Sequence, residues 1–170
     1  MSNPVYITTP LYYVNAAPHI GHAYTTIAAD CLARYYRLQG DEVFFLTGTD
    51  EHGEKIAQAA QAQGFSPEVF VTQSSQTFKQ LWPVLGISYD HFLRTTDPDH
   101  VRAVQVALQR LEPQLELGTY TFWYCVPCET RWTLSELADP NRPTCPSCQR
   151  AVERLTEEDF FLKLEPHRAW

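Results

Sequence analysis

Two kinds of side chain in this sequence stand at spacings that chemistry uses. Cys125-Val126-Pro127-Cys128 and Cys145-Pro146-Ser147-Cys148 form two CxxC turns separated by sixteen residues. In such a turn both sulfurs can face one ion while nearby backbone N–H groups point at the thiolates, and two turns complete a tetrahedral set. A site closed by four thiolates has no open coordination position. Cys125, Cys128, Cys145 and Cys148 are therefore expected to hold one structural zinc ion, with iron in a similar cage and a redox dithiol as the competing readings. The metal would also help to fold a segment too small to hold a core of its own. The fifth cysteine, Cys31, reads as a small buried residue on the apolar face of a helix.

The second group is Pro18-His19-Ile20-Gly21-His22, placed where a loop enters a helix. A helix start offers free backbone N–H groups and the positive end of the dipole to a phosphate. His19 and His22, three residues apart, fall on one face of the first turn, where both imidazoles can donate to the same anion. Gly21 between them leaves room for a base or ribose against the backbone. Donors aimed at a phosphate stabilise the charge that builds when it is attacked. A pair of ordinary surface histidines is the competing reading. Further on, Gly48-Thr49-Asp50-Glu51-His52-Gly53 follows a β-favouring run. Asp50 then stands at the carboxyl end of a neighbouring strand, where its carboxylate can hold an ammonium group or cap the next helix.

The elements that must position these residues follow from pattern. Val5 to Thr9 reads as a strand stopped by Pro10, and Leu11 to Pro18 as a loop. Ile20, Ala23, Ile27, Cys31, Leu32, Tyr35 and Leu38 recur at helical spacing, and Gly40 ends that helix. Val43 to Thr47 fits a buried strand, Ser66-Pro67-Glu68 opens a helix with serine as its cap, and His91 to Thr95 is a third strand. Asp97-Pro98 starts a helix running to about Leu115. Strands alternating with helices imply an α/β fold, a parallel sheet with helices on its faces. The composition changes near Gly118, where Tyr120 to Tyr124 reads as a β ribbon leading into the cysteines. The expected division is 1–116 and 117–170, with Asp139-Pro140-Asn141-Arg142-Pro143 as the nearest thing to a linker. Glu158 to Lys163 reads as the start of a strand leading onward, and Trp82, Tyr89, Phe92 and Trp123 read as core.

Hydrophobic residues make up 44% of the 170 residues and charged residues 19%, enough apolar surface for a packed core. A net charge of −7 argues against coating DNA or any nucleic acid by bulk electrostatics, and leaves open tRNA contact through a local patch. No signal-peptide pattern opens the sequence and no apolar run approaches the roughly 20 residues of a membrane helix, so a cytoplasmic protein without membrane contact is expected.

The order Thr9-Pro10-Leu11-Tyr12-Tyr13-Val14-Asn15, then His19-Ile20-Gly21-His22, then Thr47-Gly48-Thr49-Asp50-Glu51-His52-Gly53, then the cysteine knuckle, closely resembles the methionyl-tRNA synthetases, class I aminoacyl-tRNA synthetases. The resemblance implies a Rossmann-like nucleotide-binding half-domain over 1–116 and a connective-peptide segment with a four-cysteine zinc knuckle over 117–170. It implies that His19, Gly21 and His22 bind ATP and stabilise the adenylation transition state, and that Asp50 holds the methionine amino group. Leu11 and Tyr13 are implied at the amino-acid site and Asn15 at the ATP site. The implied partners are methionine, ATP with Mg2+, and tRNA(Met), whose acceptor end is handled near the knuckle. The implied function is ATP-dependent activation of methionine and its transfer to tRNA.

The family's lysine-rich loop, second nucleotide-binding half and anticodon-binding domain have no counterpart here. The only lysines are Lys55, Lys79 and Lys163, none near another. The chain therefore reads as the amino-terminal part of a synthetase, inactive or weakly active without the carboxy-terminal portion. The competing functional readings are a catalytically incomplete nucleotide- and zinc-binding module acting through a partner, and a nucleotidylyltransferase using the histidine pair on another substrate.

Overall fold

The computed structural model describes residues 4–137, 139 and 143–168, so residues 140–142 of the linker-like stretch lie outside it. The chain divides into two compact units, Met1–Ala103 and Val104–Trp170. None of the described helices is long and apolar enough to cross a membrane.

The first unit carries strands β1 (Pro4–Thr8), β2 (Tyr12–Tyr13), β3 (Glu42–Asp50) and β4 (His91–Arg94), with helices α1 (Ile20–Leu38), α2 (Glu54–Ala62) and α3 (Pro67–Val84). Every strand pairing is parallel and β3 is central. Thr49 pairs with Tyr12 and with Arg94, so β2 and β4 lie on opposite sides of β3. By the same logic at Leu46, β1 shares the side of β2. The expected loop after Pro10 thus contributes two more rungs to the sheet, at the strands' carboxyl edge. Gly48 sits opposite Leu93, and a Cβ on it would collide with the Leu93 carbonyl oxygen. Only glycine lets β4 approach β3 there.

The core is built from Val14, Phe45, Phe70, Phe78, Trp82, Ile87 and Phe92, with Tyr89 packed at its edge. Continuous apolar residues in β3 and one face of α3 supply most of it, as a sheet covered by helices requires. α3 starts as expected, with the Ser66 hydroxyl accepting the Val69 N–H at 3.4 Å.

Two expectations about helices are corrected. α1 does not bury its large apolar residues: Ile20 is 88% exposed and Leu38 86%, and Ile27, Leu32, Tyr35 and Cys31 are exposed as well. Its buried residues are Thr26, Ala29, Asp30 and Ala33. Small side chains let the helix lie close against β1 and β3, and Asp30 is satisfied by Ser88 and Arg34. Hydrophobic spacing marks a helix, but a helix with two stripes does not reveal which one faces the sheet. The helix expected to reach Leu115 ends at Leu111 (α4, Pro98–Leu111). Glu112-Pro113-Gln114 forms a short 3-10 turn, since Pro113 lacks the N–H that would continue the α-helix.

The second unit is a three-stranded antiparallel sheet ordered β6 (Thr130–Trp132), β5 (Leu115–Cys125), β7 (Glu153–Leu162). β7 corrects the reading of Glu158 to Lys163 as a strand leading onward. It runs back along β5, with Leu162 opposite Leu115 and Glu153 opposite Tyr124, so the ladder satisfies both backbones. The knuckle lies at the far end of this ribbon.

Candidate nucleotide site and candidate metal centre

His19 is the N-cap of α1, and its geometry follows from the local sequence. The His19 Nδ1 accepts the Gly21 N–H at 3.1 Å, and the His22 Nδ1 accepts the His19 N–H at 3.1 Å. Two imidazoles thus build the reciprocal cap that serine and glutamate more commonly provide. A nitrogen that accepts carries no proton, so each ring holds its proton on Nε2. The rings stack with centroids 3.8 Å apart. Gly21 is required for this: a Cβ there would stand 2.9 Å from His19 Cε1 and 3.0 Å from Nδ1. His22 is half-buried against Tyr12 and Phe78, with ring centroids at 4.7 and 5.1 Å. Burial first, and the neighbouring His19 second, push its pKa below the usual histidine value, favouring the neutral ring. The Tyr12 hydroxyl is tied to Thr26 at 2.8 Å, which fixes the wall behind His22.

Asp50 ends β3, in register with Tyr13. Tyr12 touches His22 and its neighbour Tyr13 pairs with Asp50, so the histidine pair and the carboxylate share the carboxyl edge of the sheet, where α/β folds bind ligands. Asp50 is not the cap of the next helix: the N-cap of α2 is Gly53, with no side-chain hydrogen bond. Asp50 Oδ1 accepts the His52 N–H at 3.4 Å and lies 3.5 Å from the Thr95 hydroxyl.

Beneath Asp50 lies a polar network that the sequence did not single out. The Glu51 side chain is fully enclosed and pairs with Arg94 Nε and Nη2 at 2.7 and 2.8 Å. It also accepts the hydroxyls of Thr49 at 2.8 Å and Thr96 at 2.6 Å. Burial alone would raise its pKa, but the hydrogen bonds from Arg94, Thr96 and Thr49 outweigh it and hold the carboxyl below the usual glutamate range. An acidic residue directly after a buried strand was the available signal, since a charge there needs a partner. Of the remaining expected site residues, Tyr13 is 48% exposed at the sheet edge and Leu11 is half-buried beside it. Asn15 lines a cleft of about 190 Å3 with Gln63, Phe70, Ser74 and Thr77.

The four cysteines of the second unit converge, with all sulfurs within 4.8 Å of one another. Cys125 and Cys148 sulfurs are 3.5 Å apart, Cys128 and Cys145 4.0 Å. Four sulfurs at about 2.3 Å from a tetrahedral ion would be separated by roughly 3.8 Å, so the cage fits a zinc-sized cation. Cys125 and Cys145 are buried, and Trp123 and Trp132 pack around them. Burial pushes the Cys145 thiol up, but N–H groups of Cys148 and Ser147, with the neighbouring thiols, bring it down to about 6. The Cys128 thiol is pushed up to about 12, first by Cys148 and then by burial, and burial raises Cys125. One thiolate forms readily and further negative charge is resisted, a balance that a divalent cation reverses. Glu129 and Gln149, each directly after the second cysteine of its turn, adopt left-handed φ values of 51° and 59°. The two turns are therefore built alike.

Residues 5–167 match the family described as tRNA synthetases class I (M). The methionine--tRNA ligase of Thermotoga maritima is 50% identical over 166 residues, covering 96% of this chain and 26% of the relative. That of Caldanaerobacter subterraneus subsp. tengcongensis is 49% identical over 169 residues, again covering 26% of its length. The Mycobacterium tuberculosis methionyl-tRNA synthetase, solved in complex with methionyl-adenylate, superposes with a TM-score of 0.88 at 40% identity, over 98% of this chain and 33% of that one. The chain thus spans about a quarter of the length of the curated relatives it matches. On the family match and these identities, the chain belongs to the class I (M) tRNA synthetases.

Proposed function

We propose that this chain forms the methionine- and ATP-binding edge of a methionine--tRNA ligase working in the cytoplasm. His19 and His22 direct their Nε2–H groups at the phosphates of ATP, and the amino end of α1 adds its dipole. Asp50 binds the methionine ammonium group next to them, with Tyr13 and Leu11 shaping the amino-acid side and Asn15 contributing on the ATP side. A methionine carboxylate oxygen attacks the α-phosphorus, forming a P–O bond as the bond from that phosphorus to the bridging oxygen breaks and pyrophosphate leaves; Mg2+, when bound, would offset charge on the phosphates. The histidine N–H groups stabilise the charge that accumulates on the phosphoryl oxygens, which is the role fixed donors perform best. A hydroxyl of the terminal adenosine of tRNA(Met) then attacks the methionyl carbonyl, forming an ester as the anhydride bond breaks and AMP leaves. The second unit holds zinc through Cys125, Cys128, Cys145 and Cys148 and serves the tRNA acceptor end. On this reading, the lysine-rich loop that steadies pyrophosphate and the anticodon-binding part are supplied by the carboxy-terminal portion of the synthetase.

The observation that carries this reading is the sealed Nδ1 of both histidines, which leaves an Nε2–H donor on each of two stacked rings at a helix start. Methionine-dependent ATP–pyrophosphate exchange by the full-length protein tests it, with other amino acids as controls. Exchange that depends on another amino acid instead would replace the substrate; absence of any exchange would remove the activity.

A further inference from the structure

Arg94-Thr95-Thr96, the last residue of β4 and the two that follow it, grip Asp50-Glu51-His52, the last residue of β3 and the two that follow it. Arg94 and Thr96 hold the Glu51 carboxylate. Thr95, between them, is half-buried and its hydroxyl meets all three members of Asp50-Glu51-His52. It accepts the Glu51 N–H at 2.9 Å, lies 3.1 Å from His52 Nδ1, and lies 3.5 Å from Asp50 Oδ1, the longest of the three. The Thr95 N–H also donates to the Thr49 carbonyl at 3.2 Å, extending the ladder to the level of Asp50.

A hydroxyl has one proton and two lone pairs. The Glu51 N–H can only donate, so it occupies one lone pair. The ionised Asp50 carboxylate can only accept, so it takes the proton. His52 Nδ1 then faces the second lone pair, and must itself carry a proton. The opposite assignment, with the hydroxyl proton on His52, would leave Asp50 facing a lone pair, electrostatically unfavourable beside a full charge. The Glu51–Arg94 pair keeps the backbone beneath this hydroxyl from shifting.

We propose that Thr95 is a positioning residue of the amino-acid site: its hydroxyl aims the Asp50 carboxylate and holds His52 as the Nδ1–H tautomer, leaving Nε2 the free acceptor. This rests on the reading of Asp50 as the ammonium anchor. Thr95 touches no substrate; it acts by fixing the direction in which Asp50 presents its second oxygen. A carboxylate released from this hydroxyl would keep only the 3.4 Å bond from the His52 N–H, and the ammonium group would meet it in a wider range of orientations.

The test compares Thr95→Val, which keeps shape and removes the hydroxyl, with Thr95→Ser, which keeps the hydroxyl. In the full-length protein, Thr95→Val is expected to raise KM for methionine by about tenfold with KM for ATP within about twofold, while Thr95→Ser stays within about twofold for both. A merely structural role would move both constants together and lower the melting temperature. Nitrogen-15 NMR at a pH of about 8, where an ordinary imidazole is neutral, is expected to show His52 as Nδ1–H in the wild type and as a tautomer mixture in Thr95→Val. Wild-type His52 with its proton on Nε2 would overturn the proposal, and this needs no variant to fold. An unchanged methionine KM in Thr95→Val, alongside a raised one in Asp50→Asn, would overturn the positioning role while leaving the anchor intact. An unchanged methionine KM in Asp50→Asn would overturn the anchor itself and with it the role of Thr95.

Discussion

His19 and His22 lie ring on ring, centroids 3.8 Å and planes 26° apart, each with its Nδ1 closed by a backbone N–H. This makes the pair a rigid double donor before any ligand arrives. Removing one transition-state donor of this kind commonly costs on the order of 10²-fold in rate. His22→Ala in the full-length protein is expected to lower the adenylation rate by that order, measured by single-turnover formation of the adenylate. An unchanged rate would exclude the phosphate role. The half-buried ring also has its pKa below the usual 6.5. The stability it contributes is complete above about pH 6.5 and is lost as pH falls through the lowered folded-state value, because the unfolded chain protonates first. The NMR titration midpoint of His22 should accordingly fall below that of a free histidine.

At Gly21, stability and activity are expected to move in opposite directions. Alanine is the better helix former by about 1 kcal/mol. Its methyl group, however, would press on the His19 ring at 2.9 Å, and that ring is held by the Gly21 N–H itself. Gly21→Ala should leave the melting temperature unchanged or higher while lowering adenylation by about tenfold or more as the stack opens. Full activity in Gly21→Ala would show that the stack is not needed, and a lowered melting temperature would show that the press on the ring outweighs the helix preference of alanine.

The strand–helix alternation was legible in the sequence because Val43 to Thr47 and Ser66-Pro67-Glu68 are strong local signals, and the cysteine cage because CxxC spacing is itself geometry. The buried face of α1 was not legible. Its large residues Ile20, Ile27, Leu32 and Leu38 made the more visible stripe, whereas the face against the sheet is made of Thr26, Ala29, Asp30 and Ala33, where close approach matters more than apolar area. The cap formed by two histidines was hidden for a related reason: imidazole is an uncommon capping group, and the acceptor role of Nδ1 emerges only from the folded turn. The Glu51, Arg94 and Thr96 network joins residues more than forty positions apart, beyond the reach of any local pattern.

The enclosed Glu51–Arg94 pair should govern acid stability of the first unit. Glu51→Gln leaves Arg94 without its countercharge in a partly desolvated place, a change that costs about 3 kcal/mol in comparable buried pairs. The folded-state pKa of Glu51 lies below the usual value of 4.5, since the hydrogen bonds from Arg94, Thr96 and Thr49 outweigh burial. Its contribution is therefore present above about pH 4.5 and lost as pH falls through the lower folded-state value. Urea denaturation should show a gap between wild type and Glu51→Gln that is large at about pH 7 and narrows as pH falls below about 4.5. A gap that stays constant across that range would mean that the charge of Glu51 is not what stabilises the fold.

Gln149 follows Cys148 with a φ of 59°, just as Glu129 follows Cys128 with a φ of 51°. A side chain in this left-handed region costs roughly 1–2 kcal/mol, and glycine carries no such penalty. The Gln149 backbone is nevertheless held there, because its N–H donates to the Cys145 carbonyl at 2.8 Å and the Cys145 N–H donates to the Arg150 carbonyl at 2.8 Å. The turn that aims the Cys145 and Cys148 sulfurs is thus strained by its own residue. Gln149→Gly should relax that strain and stabilise the metal-loaded second unit by about 1 kcal/mol, offset in part by the greater freedom of glycine in the unfolded chain. In competition with a zinc chelator, the variant is expected to retain zinc at a chelator concentration several-fold higher than the wild type does. Cys145→Ser, which removes a ligand from the same turn, should release the metal at a much lower one. Zinc retention by Cys145→Ser equal to that of the wild type would remove Cys145 from the ligand set. A Gln149→Gly protein that loses zinc more easily would show that the glutamine side chain, and not the backbone angle, is what the turn requires.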